Sequence, residues 1–311
     1  MNCFCTIITS DYFFYAQAIY DSLRKFNSDV NFNVLVVDDK SSLLSYESIQ
    51  IFNLEDIKNS YPAAFQTIKK YEDDPNSALR WALKPLFLKF LLTKQNMSKA
   101  ILVDPDLYFY EDPFFLFEKL EISDVIITPH WRSINPKIDK SNFDILFTGG
   151  IYNAGFFGCN TNSVNILDWW LEVCAYKMVK KDGFFVDQAY LNLMPVYFTS
   201  QVAVIQHKGC NVSNWNTIEC QRTLVKNKVL INNEYPVVFI HFANLTIINI
   251  ANGEDKILIP FLETYKKALL IHNADFKFKD ASLKFKDASL KFKEVKEKRV
   301  SIKRIFKKLL K

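Results

Sequence analysis

Ile101-Leu102-Val103-Asp104-Pro105-Asp106-Leu107-Tyr108 places two carboxylates one residue apart, directly after a short apolar run. Ala100 to Val103 reads as a buried strand. Working outward, Phe4 to Thr9, Asn33 to Val37 (ending in Asp38-Asp39) and Val125 to Thr128 also read as strands. Ala16 to Phe26, Leu79 to Leu92 and Asn165 to Lys177 read as helices. Pro85 must bend the second helix or mark a new start. Strands alternating with helices predict an α/β fold with a mainly parallel central sheet covered on both faces. In such sheets ligands sit beyond the carboxyl ends of strands. The Asp104-Pro105-Asp106 turn is therefore where chemistry is to be sought. Hard divalent cations take carboxylate oxygens, and a cation held there bridges the protein to a diphosphate and neutralises its charge as it leaves. The bland alternative is a solvated acidic turn.

The composition sets limits. A chain of 311 residues with 49% apolar and 23% charged residues is long enough to bury its own core. It holds no run of about 18 apolar residues, so no membrane-spanning helix is expected. The opening MNCFCTIIT has no basic stretch before an apolar one, so no secretory signal is expected. The six cysteines form no CxxC pair. They read as free, mostly buried thiols in a reducing cytosol rather than a zinc site or disulfide framework.

The net charge of +5 is unevenly spread. Asp275 to Lys311 holds 14 basic and 5 acidic residues, a balance of +9, and the rest of the chain is at −4. That argues against a general nucleic-acid-binding surface. The chain divides accordingly into a body, residues 1–272, and a tail, 273–311. In the tail KFKDASL repeats in tandem from Lys277 and Lys284, and KFKEV follows from Lys291. Phe278, Phe285 and Phe292 recur one heptad apart, as in a coiled-coil seam that would pair two copies. Beyond Val295 the pattern is a basic amphipathic helix, suited to an anionic membrane surface.

Six blocks, in order, resemble the family 8 glycosyltransferases (glycogenin, lipopolysaccharide galactosyltransferases and relatives). Thr6-Ile7-Ile8-Thr9-Ser10-Asp11-Tyr12 resembles the first strand and nucleoside-holding turn. Lys84-Pro85-Leu86 resembles the lysine segment, and Asp104-Pro105-Asp106 the metal-binding DxD. Tyr152-Asn153-Ala154-Gly155-Phe156-Phe157 resembles the F-N-S/A-G block. Asp187-Gln188 resembles the pair beside the donor sugar, and Phe239-Ile240-His241-Phe242 the late I-H-F motif. The resemblance covers roughly residues 2 to 245. It implies a GT-A (Rossmann-like) nucleotide-diphospho-sugar transferase fold followed by a helical C-terminal tail. It further implies Asp104, Asp106 and His241 as ligands of Mn²⁺ or Mg²⁺, with Asp187 and Gln188 as the catalytic pair near the anomeric carbon. Thr9, Asp11 and Tyr15 would contact uracil and ribose, Asn153 the sugar, and Asp104 both donor and metal.

Several of these residues have plainer readings. Thr9, Asp11 and Asp187 also suit helix capping, and His241 suits a packed histidine. Arg80 and Lys84 lie four apart on one helix face, either offsetting phosphate charge or facing solvent. Thr128 to Arg132 and His207 to Asn216 read as loops lining a sugar site, with Trp faces and Asn amides. The family's G-x-x-K-P-W stretch after the histidine is absent. Lys208 is the candidate substitute for its phosphate lysine.

The expectation is a cytosolic, metal-dependent, retaining glycosyltransferase at the inner face of a membrane. It would move a sugar from a UDP-linked donor to a growing glycan such as lipopolysaccharide or capsule. Two alternatives stand beside it. One is a non-catalytic glycosyltransferase-like scaffold acting through its tail. The other is a DxD phosphatase, which wants Thr or Val where Tyr108 stands. A sugar nucleotidyltransferase would need a glycine-rich loop after the first strand, and Thr9-Ser10-Asp11 offers none.

Overall fold

The computed structural model describes residues 1–38, 44–46, 48–74 and 78–278. Strand β1 (Asn2–Ile8) leads into helix α1 (Phe13–Arg24), then β2 (Phe32–Val36), β3 (Ile49–Asn53), α2 (Leu54–Ser60), α3 (Pro62–Ile68) and α4 (Ala78–Thr93). Next come β4 (Lys99–Val103), β5 (Leu107–Phe109), α5 (Phe115–Ile122), β6 (Val125–Pro129), α6 (Lys140–Thr148), β7 (Tyr152–Asn160), α7 (Val164–Tyr176), α8 (Met194–Tyr197) and β8 (Val202–Val204). Short strands β9 (Arg222–Val225), β10 (Lys228–Ile231), β11 (Tyr235–Pro236) and β12 (Phe239–His241) precede helices α9 (Asn244–Ala251) and α10 (Ile259–His272).

The central sheet has seven strands in the order β3-β2-β1-β4-β7-β6-β8. β3, β2, β1 and β4 are parallel; β7 is antiparallel to both its neighbours, and β8 is parallel to β6. The expected α/β fold with a mainly parallel sheet is what forms. Alternation along the strands sends Leu102 and Phe157 to the face covered by α4 and α7. Ile101, Val103 and Phe156 go to the face covered by α1 and α5. A third apolar cluster joins α9 and α10 to Tyr108, Val212 and Ile240.

Pro85 neither ends nor restarts a helix. α4 runs unbroken through it, because the surrounding core buries the helix and outweighs one missing backbone donor. All six cysteines are free and buried. No helix among the described residues is long and apolar enough to cross a membrane. The heptad seam and basic amphipathic helix expected from residue 279 onward lie outside the described residues.

The small ladder β5–β12 is antiparallel, with Phe239 opposite Phe109 and His241 opposite Leu107. Phe239 is fully buried. Its ring stacks on Phe156 at 5.3 Å and meets Phe109 at 5.4 Å. This contact pins the ladder to the main sheet. Phe239→Ala is expected to cost about 3–5 kcal/mol, read as a lower urea midpoint at constant slope. A loss under about 1 kcal/mol would show that the ladder is held elsewhere.

Candidate functional site

A cleft of about 700 Å³ opens beyond the carboxyl ends of β1 and β4. α4 supplies Arg80, Trp81 and Lys84 to its wall, the turn after β1 supplies Asp11 and Tyr12, α1 supplies Tyr15, and the β4–β5 turn supplies Asp104 and Asp106. Leu107 N–H donates to Asp104 O at 3.1 Å, which closes that turn, and Asp104 N–H donates to Gly155 O at 2.8 Å.

The β5–β12 register brings His241 beside the two acids. His241 Nε2 lies 3.1 Å from Asp106 Oδ1. One ligand atom from each of Asp104, Asp106 and His241 falls within 4.8 Å of the others. Two carboxylates and one imidazole fit Mn²⁺ and tolerate Mg²⁺. Burial opposes charge on His241, yet Asp106, and after it Asp104, raises the imidazole above its ordinary range. Burial likewise works against the Asp106 carboxylate, and the facing His241 lowers it below its ordinary range.

Gly155 explains how the three come so close. A Cβ there would stand 2.6 Å from His241 Cε1, 2.7 Å from Asn153 Oδ1 and 2.9 Å from Asp104 Oδ2. Any side chain would push the constellation apart. Asn153 Nδ2 lies 3.2 Å from His241 Nδ1 and 3.4 Å from Asn211 Oδ1, so it orients the ring from behind.

Lys84 is the electrostatic hub. It is 4% exposed. Its ammonium lies 3.0 Å from Asp104 Oδ1 and 3.3 Å from Asp187 Oδ2, and donates to Ala154 O at 2.8 Å. Burial opposes its charge, and Asp104 and Asp187 outweigh that to hold it above the usual lysine range. Asp187, 2% exposed, is raised by burial against the lowering pull of Lys84. With two carboxylates and a carbonyl around its ammonium, Lys84 braces acids while lining the cleft.

The other sequence candidates fall as follows. Asp11 and Tyr15 line the cleft. Thr9 donates to Asp11 at 2.5 Å and borders a neighbouring hollow with Asp38. Arg80 borders both hollows, with its guanidinium 5.7 Å over the Tyr12 ring. Gln188 spends its amide on the chain around Gly150: Oε1 accepts from Ala154 N at 3.2 Å and Nε2 donates to Gly149 O at 2.5 Å. Asp187, Gln188 and Asn153 sit behind the cleft wall rather than in it. Lys208 is elsewhere: it donates to Glu219 O at 3.0 Å and lies 5.0 Å over Trp131. The two polar–aromatic loops do meet. Asn211 Nδ2 donates to Pro129 O at 3.3 Å, and Trp215 packs edge-on to His130 at 5.3 Å and His241 at 5.2 Å.

The sequence did not single out Trp81, Tyr265 or Phe276 as site residues, and all three line the cleft. Each carries an apolar ring that a pattern reading assigns to core.

No family model matches the chain. It is similar to two Bacillus subtilis (strain 168) proteins, uncharacterized protein YfnF and uncharacterized protein YfnD. Identity to YfnF is 26% over 258 residues, covering 80% of this chain and 83% of that protein. Identity to YfnD is 27% over 259 residues, covering 79% and 78%. Among solved structures it is similar to mouse xyloside xylosyltransferase 1, at 13% identity and TM-score 0.48, over 79% of this chain and 99% of that one. It is also similar to the bifunctional glycosyltransferase WbbM, at 12% identity and TM-score 0.49, over 86% of this chain and 49% of that one.

Two outcomes follow from this geometry. Gly155→Ala is expected to weaken Mn²⁺ binding, read by titration calorimetry, by about tenfold or more (~1.4 kcal/mol) while the circular dichroism spectrum is kept. Unchanged affinity would show that Asp104 and His241 do not converge over Gly155. The second concerns His130, whose pKa burial, aided by Arg132, depresses from 6.5 to about 3. A depressed histidine contributes stability fully present above pH 6.5 and lost as pH falls toward 3. In urea titrations from pH 7 to 5, wild type is expected to lose stability faster than His130→Gln, by up to about 1.4 kcal/mol per pH unit below 6.5. Parallel curves would place the acid sensitivity in other groups.

Proposed function

We propose that the protein is a metal-dependent glycosyltransferase that takes its sugar from a nucleoside-diphosphate donor, UDP-linked by resemblance. The observation that carries this reading is the convergence of Asp104, Asp106 and His241 at the mouth of a cleft sized for a small ligand. Their donor set fits a divalent cation, which when bound would neutralise charge on the departing diphosphate.

The transfer breaks the bond between the sugar's anomeric carbon and the diphosphate oxygen. It forms a bond from that carbon to an acceptor hydroxyl, whose proton is released. The chain's own residues prepare this. Asp104 and Asp106, with His241, would hold the cation that attracts the diphosphate end of the donor. Lys84 bridges Asp104 and Asp187, and Gln188 holds the Gly149–Ala154 segment on which Asn153 and Gly155 depend. Asp187 thus serves the donor sugar through Lys84.

Retention of configuration, a growing surface glycan as acceptor, a place on the inner face of a membrane and pairing through the heptads complete the proposal. The resemblance motivates the first two, and the basic, repeat-bearing tail the last two. A non-catalytic scaffold is the rival reading, and the intact acid–acid–histidine set speaks against it.

The test is donor hydrolysis over a panel of nucleotide-sugars with and without Mn²⁺. Turnover is expected only with metal, and Asp106→Ala is expected to lower it at least about a hundredfold without unfolding the chain. Full activity in EDTA or in Asp106→Ala would overturn the reading.

A further inference from the structure

The proposed donor cleft has two chemically different ends. One is the charged end at Asp104, Asp106 and Lys84. The other is aromatic, and part of it comes from beyond the last helix. After α10 the segment Asn273 to Phe278 crosses back over the start of α1 and lines the cleft. Phe276 packs on Phe14 at 5.4 Å and edge-on to Tyr15 at 5.9 Å. Phe278 meets Phe276 at 5.0 Å and Tyr265 at 6.5 Å. Tyr12 stacks on Tyr15 at 5.3 Å, continuing the same aromatic surface.

Among the described residues, the backbone of this segment donates from Asn273 N–H to Leu269 O at 2.9 Å and from Phe276 N–H to Asn273 O at 3.0 Å. Phe276 and Phe278 are only half-buried, so their faces are not used up by the core. Nearby, Tyr265 buries its hydroxyl with no hydrogen-bond partner among the described residues. A buried polar group in that state is one that a bound ligand can satisfy.

We infer that Phe276, with the segment Asn273 to Phe278 that carries it, is the wall on which the donor's nucleobase stacks. A ligand charged at one end and flat and aromatic at the other matches the two ends of the cleft. Stacking of a base on an aromatic side chain is worth roughly 1–3 kcal/mol and is tolerant of base identity. This inference rests on the nucleoside-diphosphate reading above and goes beyond it. It assigns binding to residues outside the resembling blocks, and it makes Lys277 and Phe278, the first residues of the heptad repeat, part of the donor site.

The experiment uses the full chain with Mn²⁺ and three probes: UDP, GDP and inorganic pyrophosphate, each by titration calorimetry. Phe276→Ala is expected to weaken the tighter of the two nucleotides by about tenfold or more, the ~1.4 kcal/mol expected of a lost stack. It should leave pyrophosphate affinity unchanged, and Phe276→Trp should restore nucleotide affinity. The pyrophosphate arm separates a lost stacking face from a damaged fold, since damage would lower all three. Nucleotide affinity unchanged in Phe276→Ala, or nucleotide and pyrophosphate lost together in both variants, overturns the inference. Wild type that binds neither nucleotide overturns the donor reading itself.

Discussion

One ammonium group holds the acidic floor of the cleft together. Lys84 reaches Asp104, Asp187 and the Ala154 carbonyl at once. Those contacts tie α4 to the β4–β5 turn, to β7 and to the loop before α8. Burial raises the Asp187 carboxyl and Lys84 pulls it back, while Asp104 and Asp187 hold the lysine above its usual range. Breaking a buried pair by removing one partner costs far more than the pair is worth intact. The arrangement is thus a commitment: losing Lys84 would leave the buried Asp187 side chain without the cation 3.3 Å away. The same logic explains a buried lysine in the middle of a helix where its neighbours Leu83, Leu86, Phe87 and Leu88 are fully buried.

The second constraint is topological. Six strands of the central sheet share a direction and β7 alone opposes them. The site forms at that reversal, where β4 ends in Asp104 and β7 begins with Tyr152, Asn153 and Gly155. Antiparallel pairing sets Val103 opposite Phe156, so the glycine faces the first aspartate. The β5–β12 ladder then closes over the same point and delivers His241. Strand ends are good places for chemistry because the sheet fixes their positions while their side chains stay free of the ladder.

What was legible in the sequence was local. The apolar run before Asp104-Pro105-Asp106, the alternation of strands and helices and the late Ile240-His241-Phe242 block each have a short-range signal. Together they gave the α/β class, the strand positions to within a residue or two, and the three residues that converge. What was not legible depends on distant partners. Nothing in Lys84-Pro85 says that the lysine lies between two carboxylates and a carbonyl, nor does Lys208 advertise its attachment to Glu219 O. Gln188 reads as a site residue in one dimension, and its amide is engaged with the backbone of residues 149 and 154. Pro85 misleads in the opposite sense. Its local rule predicts a break, and tertiary burial overrides it.

The boundary drawn at residue 272 shows why composition and packing can part company. Charge changes abruptly at Asp275, because from there basic residues outnumber acidic ones heavily. Packing does not change there. Phe276 and Phe278 join the apolar cluster of α9 and α10, and their rings extend a surface begun by Tyr12 and Tyr15 at the opposite end of the chain. A heptad period registers only that Phe278 recurs, not that its first copy has a partner in the body. The first phenylalanine of the row, Phe278, lines the cleft.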